Sequence, residues 1–167
     1  MGMKKLTGSQ ENYLECLYRI SGHGPVRVRD LARNLGVRLP SVTRAVSGLE
    51  KMGLVDHESY GQVLLTAEGE AVGKEIVRRH ECLSRLMVEL MGMSESEAAP
   101  HIHRLEHVVE ESLLVRLETL ADFCLDSPAW VKRLQHRVSL KLQENAPTPT
   151  PFHVGGISIH RGNPREL

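Results

Sequence analysis

The sequence predicts a mostly α protein in two halves, with one short β-hairpin closing the first half. Three observations carry this. Apolar residues recur at helical spacing in segment after segment, and only residues 54–58 and 63–66 read as strands. Two of the helical segments are short and joined by a turn at Gly36. The charge also divides along the chain. Residues 27–51 hold six basic side chains against Asp30 and Glu50, a net +4, whereas residues 84–126 hold three arginines against nine carboxylates, a net −6.

The whole chain, 167 residues with a formal net charge of zero, is long enough for one domain or two small ones sharing a core. Its 41% hydrophobic and 25% charged residues are ordinary for a soluble globular protein. No apolar run reaches membrane-spanning length, and the first ten residues lack the apolar stretch of a signal peptide, so a cytoplasmic protein is expected. Cys16, Cys82 and Cys124 are widely spaced, without a C-x-x-C pair, which argues against a disulfide framework or a zinc knuckle and for free thiols. A basic first half beside an acidic second half suggests a polyanion-binding module joined to something else.

Taken in order, Ser9 can cap a helix over residues 10–21, with Tyr13, Leu14, Leu17 and Tyr18 turned inward. The Gly22-His23-Gly24-Pro25 cluster ends it. A short helix follows over residues 28–35, and Gly36 permits a tight turn. Pro40 suits the first turn of the next helix, where its missing N–H costs nothing. Val42, Val46 and Leu49 face inward there, while Ser41, Thr43, Arg44 and Ser47 stay outward and can hydrogen-bond. Gly53 is a natural stop. Two short helices with a glycine turn, the second polar outside, describe a helix-turn-helix. The hairpin of residues 54–58 and 63–66, turning at Ser59-Tyr60-Gly61-Gln62, is then a wing. Tyr60 and Gln62 at its tip either reach a minor groove or phosphates, or stand in solvent.

Thr66 can cap a long helix over residues 67–90, which carries His80 and ends at Gly92. Pro100 is expected to reset the chain into one helix over residues 101–120, with Leu105, Val108, Val109, Leu113, Leu117 and Leu120 as its apolar stripe. Ser127-Pro128 starts a last helix to about residue 143. The tail from Asn145 is rich in proline and glycine and reads as extended or disordered, with residues 152–160 the part able to dock. The expected division is a winged helix-turn-helix unit over 1–72, a helical unit over 73–143, and a tail over 144–167.

The chemistry concentrates in His103-Arg104-Leu105-Glu106-His107. On a helix His103 and His107 share a face, and Glu106 lies beside them. Two imidazoles and a carboxylate suit a first-row divalent cation, although a solvated charged helix face would look the same. His103-x-x-Glu106-His107 also fits the inverted zinc-peptidase motif, with Glu106 as general base. That motif needs a third ligand and a cleft, and about 60 residues follow.

The chain resembles the diphtheria toxin repressor family of metal-dependent transcriptional repressors, closest to its compact manganese-regulator branch. The matching stretches are Tyr13-Leu14-Glu15-x-Leu17-Tyr18, Asp30-Leu31-Ala32 through Ser41-Val42-Thr43, Leu65-Thr66-x-x-Gly69, Arg79-His80 and Glu106-His107, spread over about residues 7 to 141. The resemblance implies a winged-helix domain, a helical dimerisation domain and a metal bound between them. It implies Asn12, Glu15, His80, His103, Glu106 and His107 as metal ligands. Asn12 stands where the manganese branch has an aspartate, and His103 where it has a bridging glutamate. Three imidazoles with two carboxylates favour Fe, Co, Ni or Zn over Mn. The ancillary metal site of the toxin-repressor branch is not expected, since Ala99 and Ser84 occupy two of its positions and His101 reads as solvated. The larger branch carries an SH3-like domain, for which this chain is too short.

The implied function is a homodimeric, cytoplasmic repressor of double-stranded operator DNA, with Mn2+ or Fe2+ (alternatively Co2+, Ni2+ or Zn2+) as corepressor. Ser41, Thr43, Arg44 and Ser47 are the candidates for base or phosphate contacts, with Arg38 on phosphate and Tyr60 on the wing. The rival is a winged-helix regulator that binds DNA without metal and uses its second half only to dimerise.

Overall fold

A computed structural model describes residues 6–22, 26–57 and 61–145. The first helix, α1 (Gly8–Ser21), starts two residues earlier than expected. Thr7, not Ser9, caps it, because Thr7 and Gln10 form a reciprocal capping box that satisfies two free backbone donors. Helix α2 (Val28–Leu35) ends at Gly36, whose φ of 64° lies in the left-handed region that a glycine adopts without strain. Helix α3 (Leu39–Glu50) has proline in its first turn and buries Val42, Val46 and Leu49.

The wing strands are β2 (Val55–His57) and β3 (Gln62–Leu65), with β1 (Val26–Arg27) added on the other edge of β3. All pairs are antiparallel in the order β1-β3-β2, with Val26 opposite Val63 and Val55 opposite Leu65. Two residues give no alternation to read, so β1 has no signature in the sequence. Tyr13, Leu14, Leu17, Leu31, Val42, Val46, Leu49, Val55 and Val63 join in one core, which locks α1, α2, α3 and the sheet together.

Helix α4 (Ala67–Ser84) is capped by Thr66 and runs on as a π-helical segment (Arg85–Leu90) before Gly92 turns the chain. Its first half lies hard against the winged unit. A Cβ on Gly69 would sit 1.8 Å from the Leu54 carbonyl oxygen, and one on Gly73 would meet the Tyr18 side chain at 2.9 Å. Two glycines four apart on one face thus let α4 seat against the wing and α1. Farther along, α4 and its π extension supply Cys82, Leu83, Leu86 and Met87 to two smaller cores of the second half. One helix therefore spans both halves.

The second half departs from the expected single helix over residues 101–120. Instead α5 (Glu95–Leu105) and α6 (Glu111–Leu125) are separated by a turn. Helix α5 begins at Glu95 because Ser94 and Glu97 form a capping box, and Pro100 is accommodated inside it. The proline forgoes a bond to the carbonyl four residues back, at Ser96, which is exposed and open to water. After Leu105, Glu106 is the C-cap, and the chain turns through the β-branched pair Val108-Val109 into the extended Glu110. The break lets α6 fold back on α4. Arg78 grips Glu118 at 2.6 Å and Glu111 at 3.0 Å, and Arg85 meets Asp122 at 2.8 Å.

The apolar seam of α6 accordingly runs through Leu114, Leu117, Ala121 and Cys124. Leu113 and Leu120, expected inside, are about half exposed at 47% and 50%. The misassignment follows from extending one helical phase across a turn that resets it. Helix α7 (Pro128–Glu144) closes the described chain, and the tail expectation lies outside the described residues. All three cysteines are free, with Cys82 and Cys124 buried. Among the described residues, no helix is long and apolar enough to cross a membrane.

Candidate metal centre

The break after α5 shapes the cluster. His103 lies in the last turn of α5, Glu106 is the cap residue and His107 follows in the turn. The i, i+3 and i+4 spacing across this last turn brings the three side chains together, with ring centroids of His103 and His107 5.0 Å apart, edge to face.

Glu106 is the centre. It is 4% exposed, the one buried charged residue among those described. Its Oε2 lies 3.0 Å from His80 Nδ1 of α4, and its Oε1 lies 3.0 Å from His103 Nδ1 and 3.7 Å from His107 Nε2. Helix α1 reaches in from the winged side. Glu15 Oε1 stands 3.7 Å from His80 Nδ1, and Glu11 Oε2 hydrogen-bonds His107 Nδ1. Two ligand-type triads result, His103/Glu106/His107 and Glu15/His80/Glu106, each with its donor atoms within 4.8 Å of one another.

The electrostatics follow from this packing. Burial pushes the Glu106 carboxyl up, but the hydrogen bonds to His80 and His103 outweigh it, leaving it below the usual carboxylate range. The same bond to Glu106 raises His80 above the ordinary histidine value, against the effect of its own burial. Arg19 donates to Glu15 at 3.0 Å and reaches Glu81 of α4 at 3.6 Å, so it balances carboxylates of both helices from outside.

The residues fit a divalent metal on two structural observations. His107 Nε2 is buried with no hydrogen-bond partner, an orphan that a metal would satisfy. Gly8 keeps the space beside it open, since a Cβ there would stand 3.0 Å from that nitrogen. The donor set of imidazoles and carboxylates is that of a first-row transition ion.

Five of the six expected ligand residues thus come together: Glu15, His80, His103, Glu106 and His107. Asn12, half-buried on α1, makes no hydrogen bond to the cluster among the described residues. Glu11 was missed. The signal that could have found it is its spacing, four residues before Glu15 on the same face of α1. His101 is exposed and bonded to Arg104 at 3.1 Å, as a solvated histidine would be.

On the winged unit, Arg38, Ser41, Thr43 and Arg44 are exposed along α3, and Ser47 is half-buried. Leu39, Pro40 and Lys51 line the open groove beside Thr43, Arg44 and Ser47, so Lys51 adds a cation to this surface. Thr43 Oγ1 donates to the Leu39 carbonyl at 3.1 Å, which leaves its lone pairs to accept. Tyr60 lies outside the described residues.

A winged helix-turn-helix joined to a helical unit through a His/Glu cluster centred on one buried carboxylate has the parts of a DNA-binding transcriptional regulator under metal control. The chain matches the family "Iron dependent repressor, N-terminal DNA binding domain" over residues 5–63 and "Iron dependent repressor, metal binding and dimerisation domain" over residues 66–130. It is 33% identical over 130 residues to the HTH-type transcriptional regulator MntR of Lysinibacillus sphaericus (strain C3-41), covering 77% of this chain and 93% of that protein. The manganese regulator SloR shares the fold with a TM-score of 0.62 at 23% identity, over 71% of this chain and 55% of that one. A manganese-dependent transcriptional repressor solved with manganese gives a TM-score of 0.60 at 28% identity, over 68% and 53% of the two chains. The chain spans about half the length of these solved structures. It belongs to the iron dependent repressor family, which is a family of regulators and not of enzymes.

That membership removes the inverted-motif peptidase, and in this structure both oxygens of Glu106 bond histidines.

Proposed function

We propose that this chain is a homodimeric, cytoplasmic repressor whose operator binding is switched on by Mn2+ or Fe2+, in the service of metal homeostasis. One observation carries the reading: a single buried carboxylate, Glu106, joins histidines of α4 and α5 at the point where Glu15 of α1 arrives. The ligands in this reading are Glu15, His80, His103, Glu106 and His107, with Asn12 a weaker, neutral donor. Co2+, Ni2+ and Zn2+ also suit so imidazole-rich a set, while the similar manganese-dependent repressor solved with manganese favours Mn2+.

The chain's own packing supplies the mechanism. Leu14 and Leu17 of α1 share a core with Val42 and Val46 of α3, so α3 moves with α1. Whatever ties Glu15 to His80 and Glu106 also fixes the recognition helix relative to the second half. A bound ion would supply the positive charge that holds these carboxylates and imidazoles together. In a dimer, that sets the spacing of two copies of α3 near one DNA turn, about 34 Å. Leu113, Leu120 and Phe123, exposed on α6, offer an apolar face for the second copy. Arg38, Ser41, Thr43, Arg44 and Ser47 contact DNA, with Tyr60 on the wing. The working division is 1–72 for DNA, 73–143 for dimer and metal, and 144–167 for the tail.

The test is binding of the purified protein to its own upstream region at fixed salt, after chelation and after adding back each metal. Binding restored by one or two ions is expected. Equal binding with and without metal would overturn the corepressor role and leave a metal-independent winged-helix regulator. By reciprocity, operator DNA should tighten metal binding by the same factor that metal tightens DNA.

A further inference from the structure

His107 turns its two ring nitrogens to different neighbours. Nδ1 meets the carboxylate of Glu11, which α1 brings from the winged unit. Nε2 is buried without a hydrogen-bond partner, 3.7 Å from Glu106 Oε1 and beside the space that Gly8 leaves open. A carboxylate only accepts hydrogen bonds, so in the neutral ring the proton of the Glu11 contact sits on Nδ1. Nε2 then keeps its lone pair, free of any hydrogen bond, 3.7 Å from Glu106 Oε1. Glu11 is 15% exposed, sheltered enough for this bond to hold the ring against competing water.

We propose that Glu11 is a positioning residue for the metal centre: it fixes the tautomer and orientation of His107 so that Nε2 is presented as a ligand. This rests on the reading of His107 as a metal ligand. Glu11 and Glu15 then divide the work of α1. Glu15 faces the His80 side of Glu106, while Glu11 works through His107 on the other. A carboxylate behind a ligating histidine raises the basicity of the coordinating nitrogen and restricts the ring, and its removal typically lowers metal affinity about 10–100-fold. The winged unit thereby gains a second handle on the centre, from a position that carries no metal itself.

The experiment compares full-length parent, Glu11→Ala, Glu11→Gln and His107→Ala. Affinity for Co2+ is read by visible absorption, and the His107 ring-nitrogen NMR shifts are read in the metal-free protein. Glu11→Ala should lose about 10–100-fold in affinity and move His107 toward the Nε2–H form. Glu11→Gln keeps an acceptor oxygen at the same reach, so it should retain the Nδ1–H form and lose less affinity. Parent-like affinity in Glu11→Ala, alongside a loss in His107→Ala, would overturn the positioning role alone. Equal losses in both Glu11 variants with the tautomer unchanged would also overturn it and make Glu11 a direct ligand. Parent-like affinity in His107→Ala would instead sink the ligand assignment beneath it.

Discussion

Helix α1 has two working faces, and they are held by opposite kinds of force. One face buries Tyr13, Leu14 and Leu17 against α3 and the sheet, in a core that is hydrocarbon but for the Tyr13 phenol and holds no carboxylate or imidazole. The other presents Glu11, Glu15 and Arg19 to a seam where Glu106, three histidines and Glu81 meet. The first face gains from removing apolar area from water, a gain indifferent to pH or metal. The second holds carboxylates close together, so its strength depends on which cations, protons or metal, lie between them. The winged unit is thus a fixed body, and its attachment to the second half is conditional. A regulator needs both.

The sharpest way to test this contrast is to damage each face separately. Leu14→Ala empties a fully buried site and should cost about 2–5 kcal/mol of stability, read by denaturant unfolding. The cost should be the same with and without metal, and a metal-dependent cost would break the comparison. Glu106→Ala should act the other way. It removes the carboxylate both triads share, so metal affinity should fall by more than the about 10–100-fold typical of losing a group behind a ligand, and metal-stimulated operator binding should vanish. Isothermal titration and a chelator-controlled DNA-binding assay read the two losses. Metal-stimulated binding in that variant at parental levels would show the centre lies elsewhere.

A smaller effect lies on the exposed face of α3. Arg44→Ala should weaken operator binding by about 1–3 kcal/mol if Arg44 reads a base, with specificity relaxed at one position. If it contacts only phosphate, the loss should be uniform across sequences, with a shallower salt dependence. Neither outcome should alter metal affinity measured without DNA, because Arg44 is exposed on α3 and, among the described residues, bonds none of the cluster side chains.

The two faces also differed in how far the sequence could be read. The apolar face was legible because one helical period accounts for Leu14 and Leu17, and the same held for Val42, Val46 and Leu49. Residues that pack by burial advertise themselves by spacing. The cluster was legible in its residue types, with His103, Glu106 and His107 adjacent in the chain, but not in its backbone. The turn after Leu105 was hidden because Val108, Val109 and Leu113 continue a plausible stripe, and only the tertiary demand to bury Leu114 against α4 resets the phase. Resemblance directed attention to Asn12 beside Glu15. Plain helical geometry would equally have offered Glu11, and the partner that selects it, His107, is 96 residues away.

The smallest predicted effect is a pH dependence whose sign separates the faces. His80 is raised by its bond to Glu106, so its contribution to the stability of the metal-free protein is full below the ordinary histidine value, about 6.5. That contribution is lost as pH rises through the raised value. Glu106 is lowered, so its contribution is present above the ordinary carboxylate value, about 4.3, and is lost as pH falls through the lowered one. The metal-free seam is therefore strongest in mildly acidic solution and loosens toward alkaline pH. Metal binding needs the histidines neutral, so affinity for an ion should rise over the same range in which the proton-held seam weakens. Thermal midpoints of the metal-free protein should fall on the alkaline side of this window, and His80→Gln should flatten that fall. A parental profile flat through the histidine range, or one that His80→Gln leaves unchanged, would mean that the seam is not held by this pair. With Leu14→Ala the profile should shift down as a whole and keep its shape, because hydrocarbon burial carries no proton.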